Sequence, residues 1–276
     1  MSATPDQYGL FGHPVSHSLS PFIHGLFARE TGQQMAYRAY DVLPDDFTAR
    51  VRAFFASGGR GLNITVPHKL AAAALADELS ERASHAAAVN TLVRQGDSVL
   101  GDNTDGVGLV RDLCDNLGLV ITGARVLVLG AGGATRGVLA PLLGLAPAAV
   151  TIANRTPDRA TALAAAFADL GTTSGRGFSE VPDRPFDLVI NATSASLSGE
   201  IPPIPRGAIG PSTVCYDLAY GRAATAFVKW AQQCGALRAE QGLGMLVEQA
   251  AESFRLWRGV RPQTASVLAA LRERPL

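Results

Sequence analysis

A chain of 276 residues is long enough for about two domains, each with its own core. Apolar residues make up 47% and charged residues 17%, with zero formal net charge, so no basic excess points to nucleic acid or a membrane surface. No charged leader precedes an apolar run, and Gly, Pro or Arg interrupts every Ala- and Leu-rich stretch before about 18 residues, so neither secretion nor a membrane span is expected.

In chain order, residues 8–11 read as a strand, 22–30 as a helix and 37–42 as a second strand. A helix over 45–56 puts Phe47, Val51, Phe54 and Phe55 on one side. Residues 61–65 form a third strand that leads into a helix from about Pro67, and 90–94 and 99–100 flank Gln95-Gly96-Asp97 as a hairpin. This α/β alternation defines a first domain over 1–105, and a helix over 106–117 carries the chain into a second over 106–243. The remainder, 244–276, holds two helices, 244–257 and 263–274. Three cysteines, Cys114, Cys215 and Cys234, lack CxxC spacing and read as buried thiols in a reducing cytoplasm.

The second domain opens on the most informative stretch, 125–136. Val126 to Leu129 form a continuous apolar run, as expected of a strand buried on both faces of a parallel sheet. Gly130, Gly132 and Gly133 follow, and a helix runs over 134–143. Strand, glycine turn and helix let backbone approach a pyrophosphate at a positive helix end, the Rossmann arrangement for a dinucleotide. Thr135 takes the third glycine position of the usual pattern. The next strand, 150–153, ends in Asn154-Arg155-Thr156, with Arg159 a helical turn later. No carboxylate stands at that strand end to take a ribose 2′-hydroxyl, whereas Arg grips a 2′-phosphate bidentately. The cofactor read from these residues is NADP. Further on come a helix over 157–170, strands 186–191 and 213–217, and an amphipathic helix around 226–231 that carries Lys229.

Only two of the 24 basic residues are lysines, Lys69 and Lys229. Lys229 has a plain surface reading. Lys69 closes the cluster Asn63-Ile-Thr65-Val-Pro67-His-Lys69, in which Asn63 and Thr65 point to one face and Lys69 falls in a first helical turn. The helix dipole there disfavours a positive charge, which suits an acid/base lysine. Gly12-His-Pro-Val-Ser-His-Ser18-Leu-Ser20-Pro21 offers Ser20 as a helix N-cap and two hydroxyls for a carboxylate ligand. Val89-Asn90-Thr91 and Gly101-Asp-Asn-Thr-Asp105 complete the polar clusters, and Asp105 is either an N-cap or a partner for Lys69. His13, His17 and His24 lie close in sequence, but Pro14 breaks their periodicity and no carboxylate or cysteine joins them, so no metal is expected.

From Phe11 to about Val260 the chain resembles the shikimate dehydrogenase family, through an ordered set of motifs. These are Ser-His-Ser18-Leu-Ser20-Pro21, Asn63-Ile-Thr65-Val-Pro-His-Lys69, Ala-Val-Asn90-Thr91, Asp102-Asn-Thr-Asp105-Gly, Gly130-Ala-Gly-Gly-Ala134, Asn154-Arg-Thr156, Asn191-Ala-Thr193-Ser, Tyr216-Asp-Leu218-Ala-Tyr220 and Gly242-Leu-Gly-Met-Leu-Val-Glu-Gln249-Ala-Ala. The resemblance implies a Rossmann-type NADP domain beside a smaller α/β substrate domain, to which the C-terminal helix returns. It implies reversible reduction of 3-dehydroshikimate to shikimate by NADPH, on the route to aromatic amino acids. Lys69 and Asp105 would be catalytic, and Ser18, Ser20, Asn63, Thr65, Asn90, Tyr220 and Gln249 would join them in holding substrate. Gly130, Ala131, Gly132, Gly133, Ala134, Asn154, Arg155, Thr156, Arg159, Asn191, Thr193, Leu218 and Gly242 would contact the cofactor. The partner is a small-molecule substrate, and the expected enzyme is a cytoplasmic monomer or homodimer. Three positions depart from the pattern without touching catalysis: His68, where an aromatic often stands, Gly25 for a polar residue, and Leu218 for methionine.

Overall fold

The computed structural model describes residues 4–193, 195 and 199–274. The chain divides into two compact units, one built up to Gly108 and again from Val247, the other from Leu109 to Leu246. Among the described residues no helix is long and apolar enough to cross a membrane.

The first unit contains β1 (Asp6–Gly12), α1 (Ser20–Glu30), β2 (Met35–Asp41), α2 (Phe47–Ala56), β3 (Gly61–Ile64), α3 (Lys69–Leu75), β4 (Glu78–Leu79), α4 (Glu81–Ala86), β5 (Thr91–Gln95), β6 (Ser98–Asp102) and the start of α5 (Asp105–Arg111). Its six strands run in the order β2-β1-β3-β5-β6-β4. β1 pairs in parallel with β2 and β3, whereas β5 is antiparallel to both β3 and β6. The hairpin places Thr91 opposite both Asn63 and Asp102, so three polar residues line up across neighbouring strands. Phe11, Leu62, Ile64 and Leu92 pack with Phe47, Val51 and Phe55 of α2.

The second unit contains β7 (Arg125–Leu129), α6 (Gly133–Leu143), β8 (Ala149–Asn154), α7 (Pro157–Ala165), β9 (Thr173–Gly177), β10 (Leu188–Asn191), β11 (Val214–Asp217), α8 (Thr225–Gln233), β12 (Arg238–Gln241) and the start of α9 (Leu243–Arg258). Its six strands are all parallel, in the order β12-β11-β10-β7-β8-β9. The apolar run of β7 has a direct cause: Val126 and Val128 enter one core cluster, Leu127 and Leu129 the cluster on the opposite face. The later turns of α9 and all of α10 (Ala265–Arg272) belong to the first unit. There Trp257 donates Nε1 to the Leu92 carbonyl at 3.0 Å, and Arg258 reaches Asp6 at 2.5 Å.

Three local expectations are corrected. Ser20 is not the N-cap of α1 but its first helical residue; Leu19 takes the cap position, and the Ser20 backbone N–H donates to the Ser18 hydroxyl. The helix expected over 106–117 is α-helical only to Arg111, and Asp112–Asn116 form a π-helical turn. Its buried Asp112 carboxylate accepts from Asn116 within the turn at 2.9 Å and from the Tyr216 hydroxyl at 2.5 Å, the latter a tertiary contact that local periodicity cannot report. Of the three cysteines only Cys215 is buried, its thiol pushed up to about 12 by desolvation; Cys114 and Cys234 are half-buried.

Gly244 packs so closely on Asp112 that a Cβ would overlap its carboxylate. Gly244→Ala is therefore expected to cost about 1–3 kcal/mol, the usual penalty of overpacking. A urea melt with an unshifted midpoint would contradict that.

Candidate active site

Lys69 is the first residue of α3 and Asp105 the first of α5. Their side chains form an ion pair, with 14% and 8% of each exposed. The other Asp105 oxygen accepts from Asn90 Nδ2 at 2.8 Å, and the Asp105 backbone N–H donates to Asn103 Oδ1 at 3.1 Å. Asn90 is the hub of the cluster. Its Oδ1 accepts from the Thr104 backbone and from Thr91 Oγ1, both at 2.8 Å. Gln249 enters from α9, its Oε1 accepting at 3.4 Å from Asn90 Nδ2 and from Thr104 Oγ1. An ammonium held by a carboxylate, beside side-chain amides and hydroxyls, can hold a small polyhydroxy acid and manage a proton on one of its oxygens.

Asn63 connects to this cluster through residues the sequence reading passed over, while Ser18 and Ser20 bond each other. Asn63 is buried, with Nδ2 donating to Ser253 Oγ at 3.0 Å and Thr91 Oγ1 at 3.2 Å, while its Oδ1 accepts from the Tyr37 hydroxyl at 2.8 Å. The Tyr37 phenol is held protonated by burial, which the nearby Ser20 hydroxyl offsets only in part. Ser18 donates to Ser20 Oγ at 3.2 Å. Ser253 bonds both Thr91 and Thr104, at 2.8 and 3.1 Å. It stands one helical turn beyond Gln249, and that i, i+4 spacing was the available signal. Thr65 follows β3 and is placed by its backbone N–H on the Phe11 carbonyl at 2.9 Å. Tyr220 lies half-buried beyond β11 in the second unit.

His24, on α1, is fully buried against Tyr37, stacked at 4.2 Å, and neither ring nitrogen has a hydrogen-bond partner. Desolvation pulls it down to about 3, offset only in part by the nearby Asn63. His13 pairs with exposed Asp41 at 2.5 Å. His68 does the work of the expected aromatic, stacked on Phe47 at 4.5 Å with Nε2 bonded to the Val42 carbonyl.

In the second unit, β7 ends at the glycine turn. Gly130 has φ +106°, and a Cβ there would lie 3.0 Å from the Ala192 carbonyl oxygen. Gly132, the N-cap of α6, brings no capping side chain, and a Cβ there would meet nothing within 4 Å. Buried Thr135 donates to the Gly130 carbonyl at 2.9 Å, closing the turn where a third glycine is usual. Ala131, Gly133 and Ala134 are half-buried around the helix start. At the end of β8, Asn154 donates to the Thr156 carbonyl at 3.0 Å, and Arg155 and Arg159 are exposed with no ion pair among the described residues. Open backbone N–H groups at a helix start and two unpaired guanidiniums fit a phosphorylated dinucleotide. Asn191 is buried between Asp217 at 3.1 Å and Thr193 at 2.8 Å. The Leu218 N–H donates to the Asn191 carbonyl, and Gly242 approaches the Leu218 backbone too closely for any side chain.

The "Shikimate dehydrogenase substrate binding domain" family matches residues 10–92, "Shikimate / quinate 5-dehydrogenase" matches 113–198 and "Shikimate 5'-dehydrogenase C-terminal domain" matches 242–272. Shikimate dehydrogenase (NADP(+)) of Methylococcus capsulatus is 58% identical over 97% of this chain and 96% of that one. The crystal structure of the Ael1 enzyme from Pseudomonas putida superposes with a TM-score of 0.89 at 45% identity, over 96% of this chain and 98% of that one. Shikimate 5-dehydrogenase from Thermus thermophilus, in complex with NADP(H) and shikimate, gives 0.84 at 33% identity over 97% and 98%. With these matches spanning both units, the chain belongs to the shikimate dehydrogenase family.

Proposed function

We infer that the chain is an NADP-dependent shikimate dehydrogenase, interconverting 3-dehydroshikimate and shikimate. The observation that carries this reading is the Lys69–Asp105 ion pair, braced by Asn90 in a unit matched by the family's substrate-binding domain. When bound, NADP supplies or accepts the hydride. Negative charge gathers on the carbonyl oxygen as a ketone is reduced, and it must be stabilised or neutralised at that moment. Lys69 Nζ is assigned that task, holding a proton at the oxygen, and Asp105 keeps the side chain aimed. Ser18, Ser20, Thr65, Asn90, Tyr220 and Gln249 are assigned the substrate's carboxylate and hydroxyls. Asn63, whose amide is already committed, is assigned to fixing its neighbours.

For the cofactor, residues 130–134 are assigned the pyrophosphate. Asn154, Arg155, Thr156 and Arg159 take the 2′-phosphate, and Thr193, Leu218 and Gly242, with Asn191 behind them, border the remainder. The proposed working form is a cytoplasmic monomer or homodimer. The test follows absorbance of the reduced cofactor with purified protein, shikimate or quinate, and NADP+ or NAD+. Turnover of shikimate with NADP+ preferred over NAD+ is expected, and a flat trace with shikimate would end the reading. In Arg155→Ala the KM for NADP+ should rise at least about tenfold, the worth of a charge-assisted bond. Its KM for NAD+ should barely move; equal losses with both cofactors would remove Arg155 from the 2′-phosphate.

A further inference from the structure

We propose that Arg82, on α4, is a positioning residue that sets Asp105 and Gln249 in place for the reaction. The proposal rests on the functional reading above. Asp102 ends β6 and is 3% exposed. Arg82 grips its carboxylate with two prongs, Nε to Oδ1 at 2.6 Å and a terminal nitrogen to Oδ2 at 2.8 Å. Oδ1 also accepts from the Ser80 hydroxyl and from the Asn103 backbone, each at 2.6 Å. From there the turn to Asp105 is closed residue by residue. Asn103 donates Nδ2 to the Ala88 carbonyl at 2.8 Å and accepts from the Asp105 N–H, and the Thr104 N–H donates to Asn90. The guanidinium is thus the outer anchor of the segment that aims the Asp105 carboxylate at Lys69.

The same guanidinium reaches a second element. It donates to Glu252 Oε1 at 3.3 Å, on α9, three residues beyond Gln249. Glu252 is itself held by Arg255 at 2.8 Å and by Arg261 at 3.3 Å, and Arg261 binds Glu248 at 2.6 Å. Buried Glu248 and Glu252 therefore bracket Gln249 on the helix. Among the described residues Arg82 is the cation that bonds both the carboxylate before Asp105 and the carboxylate after Gln249. A planar fork can hold Asp102 along one edge and still reach Glu252, whereas a lysine ammonium is a point charge that cannot do both. Misplacing a reacting group by about 1 Å costs on the order of a hundredfold in rate, so slack at this anchor is felt at the chemistry.

Arg82→Lys keeps the charge beside the buried carboxylates and loses the two-pronged grip. The variant and the unaltered chain are compared for kcat, for KM of shikimate and of NADP+, for the pH profile of kcat, and for the urea midpoint. A kcat lower by about tenfold or more, with a displaced limb in the pH profile and the KM for NADP+ within twofold, is the expected result. A lower urea midpoint with kcat and its pH profile unchanged per folded enzyme would reduce Arg82 to a structural ion pair and overturn the proposal. Should Arg82→Lys not fold, Glu252→Gln reads the tether from the helix side. There a several-fold rise in the KM for shikimate supports the proposal and an unchanged KM refutes it. If the unaltered chain does not oxidise shikimate at all, the functional reading fails first and the positioning role falls with it.

Discussion

Replacing Lys69 with alanine is expected to lower turnover of shikimate by about a hundredfold or more, the usual contribution of a positioned acid/base group, while NADP+ still binds. The side chain is 14% exposed and its ammonium is committed to Asp105, so the substitution leaves a mostly buried carboxylate with the Asn90 amide as its remaining side-chain donor among the described residues. It removes both the charge that would meet a developing alkoxide and the group that orients Asp105. The glycine turn and the two arginines assigned to the cofactor belong to the other compact unit, so binding of NADP+ should survive. Initial rates at saturating cofactor, with fluorescence titration of NADPH, separate the two effects. Turnover within a few-fold of the unaltered chain would take Lys69 out of the mechanism, and lost cofactor binding would show that the damage is not local.

The fold should also lose roughly 2 kcal/mol between pH 7 and pH 5, through His24. Its pKa falls from 6.5 in the open chain to about 3 in the folded protein, because burial leaves the imidazolium without solvent. Below pH 6.5 the unfolded chain therefore binds a proton that the native state refuses, and stability declines as pH drops through that window. Glu252 and Asp6 add to the decline lower down. Burial raises Glu252, but Arg255 and Arg82 more than offset it and bring it below 4.5; bonding to Arg258 takes Asp6 below 3.8. Depressed carboxylates of this kind contribute stability above their unfolded values and lose it as pH falls through the folded ones. Urea midpoints at about pH 7.5 and about pH 5, for the chain and for His24→Phe, are the measurement. The variant should lose most of the slope between the two, and equal slopes would clear His24 of responsibility.

Much of the second unit was legible because local sequence and tertiary role coincide there. The run 126–129 needs apolar residues on both faces, and Gly130 after it takes φ +106° against the Ala192 carbonyl to turn the chain into α6. β9 and β12 were not legible: Thr-Ser-Gly-Arg-Gly and Arg-Ala-Glu-Gln carry no apolar alternation and become strands by pairing with β8 and β11. In the first unit the motifs named Lys69, Asn90 and Asp105, yet not what braces them. Arg82 and Glu252 stand 170 positions apart, and Tyr37 meets Asn63 only because β2 and β3 both flank β1. Ser before Pro is a common cap pair, whereas here Ser20 is already helical and its side chain accepts from the Ser18 hydroxyl.

The antiparallel hairpin within an otherwise parallel-rich sheet has an engineering consequence. Its two open ends deliver Asn90 and Asp102, while its tip, Gly96 at φ +62° beside exposed Asp97, lies about 14 Å away along β5. Pairing from Thr91–Asp102 to Gln95–Ser98 locks the alignment before the chain reverses. An affinity handle spliced between residues 96 and 97, or a circular permutation opened there, should therefore leave the polar cluster intact.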